Sequence, residues 1–311
     1  PVLHEDMFTA GYEEKPTKAS NIASRVEMKM GDIEAGFEEA DIIVEREFKT
    51  PTAHQGYIEP HACTVTYDED GQSMIWCCTQ GHFDVRTSTA KVLGIDLGKL
   101  KVVASEIGGG FGGKTVVYQE PVALVLSKKS GRPVKMVMDR DEVFIATGPT
   151  SAAKLKAKVG MKKDGTITAM QGWMAYEAGA FKGSPMMPGV MTMFTPYNCS
   201  NVLVEGFDVV VNKSKVAAYR APGAPQSEYA AEMVINELAE KIGMDPIELR
   251  LKNAAKEGTQ TIYGPKLKKV GLEECLKAAK NSAHYKSSLP KGQGRGLAAG
   301  FWFNVGGQSS V

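Results

Sequence analysis

The densest chemistry in the chain sits in five glycines around one phenylalanine: Gly108, Gly109, Gly110, Gly112 and Gly113 flank Phe111, and Lys114 follows. Without β-carbons, such a loop lets backbone N–H groups come close to a bound group and permits positive φ angles. From Gly108 to Thr115 the residues also satisfy G-x-x-x-x-G-K-T, the pattern of a phosphate-cradling loop in which the lysine reaches the phosphates. The apolar run VKMVMD ends at Asp139, which a nucleotide-binding protein would use to hold magnesium. The plainer alternative is a tight strand-to-helix turn whose glycines only permit close packing. Arg220 is the other candidate. It stands just before a helix start, where a guanidinium and free N–H groups together hold an oxyanion or phosphate, or where the arginine simply pairs with a carboxylate.

No metal-ligating pattern accompanies these residues. The five cysteines (Cys63, Cys77, Cys78, Cys199 and Cys275) are odd in number and never spaced C-x-x-C, so free and mostly buried thiols are expected rather than zinc or an iron–sulfur cluster. His54 and His61 are seven residues apart and His82 stands alone; each is expected to be packed or exposed rather than a ligand. With 37 basic against 36 acidic side chains the net charge is +1, and no Lys/Arg cluster is interleaved with aromatics, which argues against nucleic acid. Lys162 and Lys163, and Lys266, Lys268 and Lys269, read as solvated surface. No apolar run reaches the roughly 18 residues that span a bilayer, and the opening PVLHEDMFTAGYEEK lacks a signal peptide's basic and apolar regions, so a cytoplasmic protein is expected.

The elements that must position these residues alternate between types. At 311 residues with 43% hydrophobic composition, the chain exceeds one typical domain. Residues 1–20 read as an extended lead-in or linker. A short helix over DIEAGFEEA feeds a strand at ADIIVEREF. The runs 62–67 and 73–78 form a hairpin in which Asp70-Gly71 supplies the positive φ of the turn, and the second strand ends at Thr79-Gln80. A helix follows from about Val85 to a stop at Gly94, then a strand (KVVASEI) enters the glycine loop, and a helix over Val116–Lys128 leaves it. AKLKAKVGM and TITAMQGWMAY flank LysLysAspGly as another hairpin. Gly179–Pro196 has no period and reads as a binding or lid loop, or as an ordinary surface crossing. Strand material at 202–212 leads to a long helix opened by Pro225 and closed by Gly243, to IELRLKNA, to a helix over LEECLKAAKNSAHY, and to a strand-like LAAGFWF. The pattern is α+β, mixed α/β, with several antiparallel hairpins. Hairpins on both sides of the glycine loop weigh against a P-loop fold, which rests on a mainly parallel sheet of βαβ units.

Several of these pieces occur together in one known family. Gln80 at a strand end, GGGFGGK at 108–114, GRPVKMVMDRDE at 131–142, and YRAPGAPQSEYAAE at 219–232 followed by DPIELRLKN resemble the molybdenum-cofactor-binding large subunit of xanthine dehydrogenase and aldehyde oxidase. The resemblance keeps the family's order and runs from about Asp32 to about Gly300. It implies a molybdenum-cofactor-binding domain at 21–255, with 256–311 giving a helix and the truncated start of a second such domain. It further implies that Gln80 bonds the apical oxygen of molybdenum through its amide, that Gly110, Phe111 and Gly112 lie against the metal and pterin, and that Arg220 lies near the metal's oxygen ligand. The metal has no direct protein ligand in this family, because the pterin holds it, so surrounding donors position and tune the centre. The implied cofactor is molybdenum–molybdopterin, its cytosine dinucleotide form included, with iron–sulfur and FAD groups on partner subunits.

The implied reaction is hydroxylation with water as the oxygen source. The family's glutamate base lies in a glycine-flanked motif that does not occur before Val311, so the chain is expected to be part of a molybdenum subunit, inactive without the remaining part. Departures bear on substrate. Purine-oxidising members carry a glutamate where Thr115 stands and a phenylalanine where Pro222 stands, and their orienting arginine would fall near Pro188; carbon monoxide dehydrogenases carry a cysteine where Ala221 stands. Aldehydes, N-heteroaromatics and aromatic thioesters remain as the small organic substrate. A P-loop nucleotide-binding protein and a non-catalytic scaffold member of the family are the competing expectations.

Overall fold

Apolar alternation and well-placed caps produce two sheets. The computed structural model describes residues 1–303. Its first half runs β1 (Ile22–Met30), α1 (Ile33–Glu38), β2 (Ile42–Thr50), β3 (Ala62–Thr66), β4 (Ser73–Cys77), α2 (His82–Leu93), β5 (Leu100–Ala104), α3 (Glu120–Ser130), β6 (Val134–Val137) and α4 (Arg140–Ala146). The second half runs β7 (Ala153–Met161), β8 (Ile167–Gly179), α5 (Met186–Thr192), β9 (Val202–Val210), α6 (Ala224–Ile242), α7 (Pro246–Asn253), α8 (Leu272–Asn281) and α9 (Ala283–Lys286). Five strands pair in the order β1-β9-β8-β7-β2 and four in the order β5-β4-β3-β6. Among these strand pairs, β8–β9 and β4–β5 are parallel and the others antiparallel. The fold is mixed α/β with mostly antiparallel pairing, as the sequence implies.

Each sheet has its own core. On the large sheet, alternate residues of β7 (Leu155, Ala157, Val159) and β8 (Met170, Met174, Tyr176) pack against Ala230, Val234, Ile235 and Leu238 of α6. On the small sheet, Cys63, Val65, Ile75, Cys77 and Val102 face Val85 and Ala90 of α2 and Ala123 and Leu124 of α3. Four of the five cysteines are buried and all five are free thiols, while Cys275 is exposed.

Local chemistry moved several elements from their expected places. The helix after the glycine loop starts at Glu120, not Val116, because Pro121 fits only a first helical turn. Asp139, expected to end a strand, instead caps α4: its Oδ1 accepts from Glu142 N at 2.8 Å while Glu142 Oε2 accepts from Asp139 N at 2.9 Å. The turn between β3 and β4 is made by Asp68, whose Oδ1 accepts from Asp70 N and Gly71 N at 3.1 and 2.8 Å, and Gly71 is not in the positive-φ region. Within 179–196 the chain forms α5, which packs so tightly that a β-carbon on Gly206 would fall 2.4 Å from Val190 Cγ2. Tertiary packing, not local period, makes that helix. Residues 297–303 have no regular secondary structure and join no strand ladder among the described residues. The 272–285 segment breaks at Ser282, whose hydroxyl caps α9. The lead-in folds back onto β1, with Ala10 N donating to Ala23 O at 2.9 Å and Arg25 N to Ala10 O at 2.8 Å.

A buried pair closes the α6–α7 corner. Arg250, 1% exposed, donates from Nε and Nη2 to Glu232 Oε2 at 3.0 and 2.7 Å, and the Tyr197 hydroxyl bonds the other carboxylate oxygen. Removing one partner leaves an uncompensated buried charge. Glu232→Ala is expected to destabilise the fold by about 3–5 kcal/mol in a urea titration. Along the same helix, burial first and the nearby Glu232 charge second push the Glu228 carboxyl from its ordinary 4.5 up to about 7. A carboxyl raised by folding stabilises the fold while protonated, and that contribution is lost as pH climbs from about 4.5 through 7. Thermal stability should therefore fall between pH 5 and pH 8, and Glu228→Gln should flatten the profile.

Candidate functional site

The glycine loop lies where the two sheet units meet. It leaves the small sheet at the end of β5, and its middle rests on the chain between β9 and α6. A β-carbon on Gly112 (φ 103°) would stand 2.8 Å from Ala218 O, and Arg220 N donates to Phe111 O at 2.8 Å. Gln55, 4% exposed, ties the same junction, its Nε2 donating to Ala218 O at 2.9 Å and to Gly148 O at 3.0 Å.

Gln80 fixes the loop from the end of β4. Its Oε1 accepts from Gly112 N at 2.8 Å and from Lys114 N at 3.2 Å, and a β-carbon on Gly110 would lie 2.5 Å from that oxygen. Those two donors settle the orientation of the amide, because an NH2 group in that place would face N–H groups. The Nε2 protons consequently have no protein partner among the described residues. The same is true of the N–H groups of Gly109, Gly110 and Phe111, and of the exposed Arg220 guanidinium.

Two residues here hold a backbone that side chains disfavour. Phe111 (φ 52°) and Ala221 (φ 55°) are the non-glycine residues with positive φ among those described, and the hydrogen bond from Arg220 N to Phe111 O sits beside both. Such conformations cost about 1–3 kcal/mol each and persist where the surroundings over-determine them. The structure thus brings together Gln80, Gly110, Phe111, Gly112 and Arg220. Thr115 ends the loop with its hydroxyl spent on Gly112 O at 2.8 Å, and Pro222 follows Ala221, half-buried.

Lys114 does not serve as a phosphate ligand. It is 1% exposed, its Nζ pairs with Glu59 Oε2 at 2.6 Å and lies 4.9 Å from the Tyr57 ring centre. With Asp139 engaged as a helix cap and α3 starting six residues beyond Lys114, a P-loop site has lost its lysine, its acidic residue and its helix terminus. The nucleotide-binding expectation fails on these contacts.

Of residues 54–61 the sequence singles out only His54 and His61, as packed or exposed, yet the whole segment is the loop's support. Glu59 Oε2 accepts from Gly108 N at 2.9 Å as well as from Lys114, so one oxygen staples both ends of the loop. Burial works to raise the Glu59 pKa, but the bonds from Lys114 and Gly108 together hold it below its ordinary value. Beneath them the Tyr57 hydroxyl bonds His61 Nε2 at 2.7 Å; burial, then the Lys114 charge, push that imidazole down to about 4 and keep it neutral. The available signal was five hydrogen-bonding side chains in eight residues (HQGYIEPH) with no period.

The donors left over are amide, guanidinium and backbone N–H groups. They suit an oxygen-rich, anionic group seated against backbone that glycine alone allows to come near. They include no thiolate, imidazole or carboxylate, so the set fits a metal held by an organic cofactor rather than by the chain.

Comparison with known proteins identifies the family of the chain. Residues 14–254 match the molybdopterin cofactor-binding domain family. The chain is 33% identical over 271 residues to the nicotinate dehydrogenase large molybdopterin subunit of Eubacterium barkeri, covering 85% of this chain and 63% of that subunit. It is 33% identical over 267 residues to xanthine dehydrogenase/oxidase of Gallus gallus, covering 83% of this chain and 19% of that protein. Among solved structures, the aldehyde oxidoreductase from Desulfovibrio gigas superposes with a TM-score of 0.78 at 28% identity, over 92% of this chain and 32% of that one. The CO dehydrogenase from Oligotropha carboxidovorans gives 0.78 at 26% identity, over 88% and 35%. The chain therefore spans less than two thirds of each of these relatives.

Glu59→Gln should strand the Lys114 charge and cost about 3 kcal/mol, with faster hydrogen exchange at Gly108, Gly112 and Lys114. A double variant with Lys114→Met should recover part of that loss; additive costs would show that the pair does not couple the loop ends.

Proposed function

The chain belongs to the molybdopterin cofactor-binding domain family, and from that premise we propose that it is the molybdenum-cofactor-binding part of a hydroxylase of the xanthine dehydrogenase type. Single-domain assignment of 21–255 and a second cofactor-binding domain starting within 256–311 belong to the same proposal. The observation that carries it is the Gln80 amide: its oxygen is committed to the loop, so its N–H protons stand free beside three unpaired backbone N–H groups and Arg220.

In this reading the Gln80 amide would donate from Nε2 to the cofactor, Gly110, Phe111 and Gly112 would form the floor against it, and Arg220 would supply positive charge beside it. Bound there, the molybdenum–molybdopterin group, in its plain or cytosine dinucleotide form, supplies oxygen transfer and two-electron acceptance. The overall change is RH + H2O → ROH + 2H+ + 2e−, with the electrons leaving through iron–sulfur and FAD groups on partner subunits. Fixed donors favour such a step because they need not reorganise as charge develops.

The substrate is a small organic molecule: an aldehyde, an N-heteroaromatic or an aromatic thioester. Thr115 and Pro222 stand where purine-oxidising members have a carboxylate and an aromatic ring, which removes the groups that would orient a purine. The heteroaromatic choice is supported by the name of the nicotinate dehydrogenase relative. The described residues contain no helix long and apolar enough to cross a membrane, and we place the complex in the cytoplasm.

Molybdenum and pterin content of the complex purified from its own cells tests the assignment. Near-stoichiometric metal in the parent, reduced at least fivefold by Gln80→Ala or Arg220→Ala in a chain that still melts cooperatively, is the expected result. An intact complex without molybdenum would overturn it and favour a scaffold role.

A further inference from the structure

We propose that residues 297–303 form an edge strand to which a β-strand of the second cofactor-binding domain of the same molybdenum subunit adds. The proposal rests on the functional reading above for the identity of the partner, but its geometry is independent of the cofactor.

Three side chains of α6, four residues apart, hold this segment. Asn236 Nδ2 donates to Leu297 O at 3.1 Å, Ala299 N donates to Glu232 Oε2 at 2.6 Å, and Phe301 N donates to Glu228 Oε1 at 2.8 Å. Four residues of helix advance about 6 Å. Two residues of strand advance about 6.6 Å. The near-match lets every second backbone position find a helix side chain, so α6 imitates the edge of a sheet. Exposure alternates accordingly: Ala299 is buried and Leu297, Phe301 and Phe303 are half-buried, while Ala298, Gly300 and Trp302 are exposed.

In an extended chain, neighbouring residues direct their N–H and C=O groups to opposite sides. The groups of Ala298, Gly300 and Trp302 therefore face away from α6, and they have no hydrogen-bond partner among the described residues. A row of unpaired backbone groups at strand spacing is a template for strand addition. Proteins that leave such an edge in water blunt it with lysine, proline or a bulge. Here GLAAGFWF, residues 296–303, carries no charge and no proline. A cleft of about 570 Å³ beside it, walled by Tyr229, Met233 and Gly300, gives room for arriving side chains. The partner is the rest of the subunit because this chain accounts for only part of its relatives, 63% of the Eubacterium barkeri subunit and 32% of the Desulfovibrio gigas chain.

Amide hydrogen exchange on the chain alone and on the complex from its own cells tests this. The amides of Ala298, Gly300 and Trp302 should exchange at least 100-fold more slowly in the complex, while those of Ala299 and Phe301 are protected in both; equal rates at the outward amides would overturn the proposal. Ala298→Pro, which deletes one outward N–H and none of the three bonds to α6, should weaken association with the partner polypeptide at least tenfold, whereas Ala298→Ser should not. Equal binding by both variants also overturns it. Molybdenum analysis of the same complex separates the two readings: full metal with an unprotected edge sinks only the strand, and a protected edge without metal sinks only the cofactor.

Discussion

The candidate site hangs on one carboxylate oxygen. Glu59 Oε2 takes the first N–H of the glycine loop and the ammonium of Lys114, the residue just past its last glycine, and so sets the chord that the loop must span. A flexible run of glycines would otherwise sample many shapes. A lysine with no exposed side-chain surface is tolerable only with such a partner, and its burial in turn dictates the surroundings. His61 stays neutral because burial, and after it the nearby Lys114 charge, disfavours the imidazolium, and the Tyr57 ring provides a face for the ammonium.

From that fixed chord the rest follows in sequence. Gln80 adds a bond at the loop's centre, and the stretch at 218–221 adds another from the opposite sheet unit. The loop is thereby gripped from both units, and two residues with side chains take positive φ angles between the grips. Strain at Phe111 and Ala221 coincides with the places where donors are left unspent, a pairing typical of sites that await a ligand. Shifts of either sheet unit against the other would reach the loop through the Arg220 N to Phe111 O bond and the close Gly112–Ala218 contact.

Much of this was legible in the residues. The glycine loop, Gln80 at a strand end and Arg220 before a helix could each be picked out, and their order identified the family. What could not be read was the support. Glu59 and Lys114 lie 55 residues apart, and only the fold shows that they meet. Period-based reading missed α5, whose helix is held by Gly206 and by packing rather than by its own pattern, and misplaced the start of α3, where Pro121 carried the correct signal. The formal P-loop pattern misled because a pattern records residue types and not whether the lysine reaches solvent. LAAGFWF shows the converse: it reads as a strand, yet among the described residues it pairs with no strand and is held by side chains of a helix.

The way the loop is held also bears on the order of events in the life of the protein. Its geometry is set by contacts within the chain, so the cost of ordering the glycines falls on folding and not on capture of the cofactor. A cradle completed in advance can be filled late. A large group could then be handed to an already folded acceptor, with cofactor supply setting how many sites are filled without limiting the amount of folded protein.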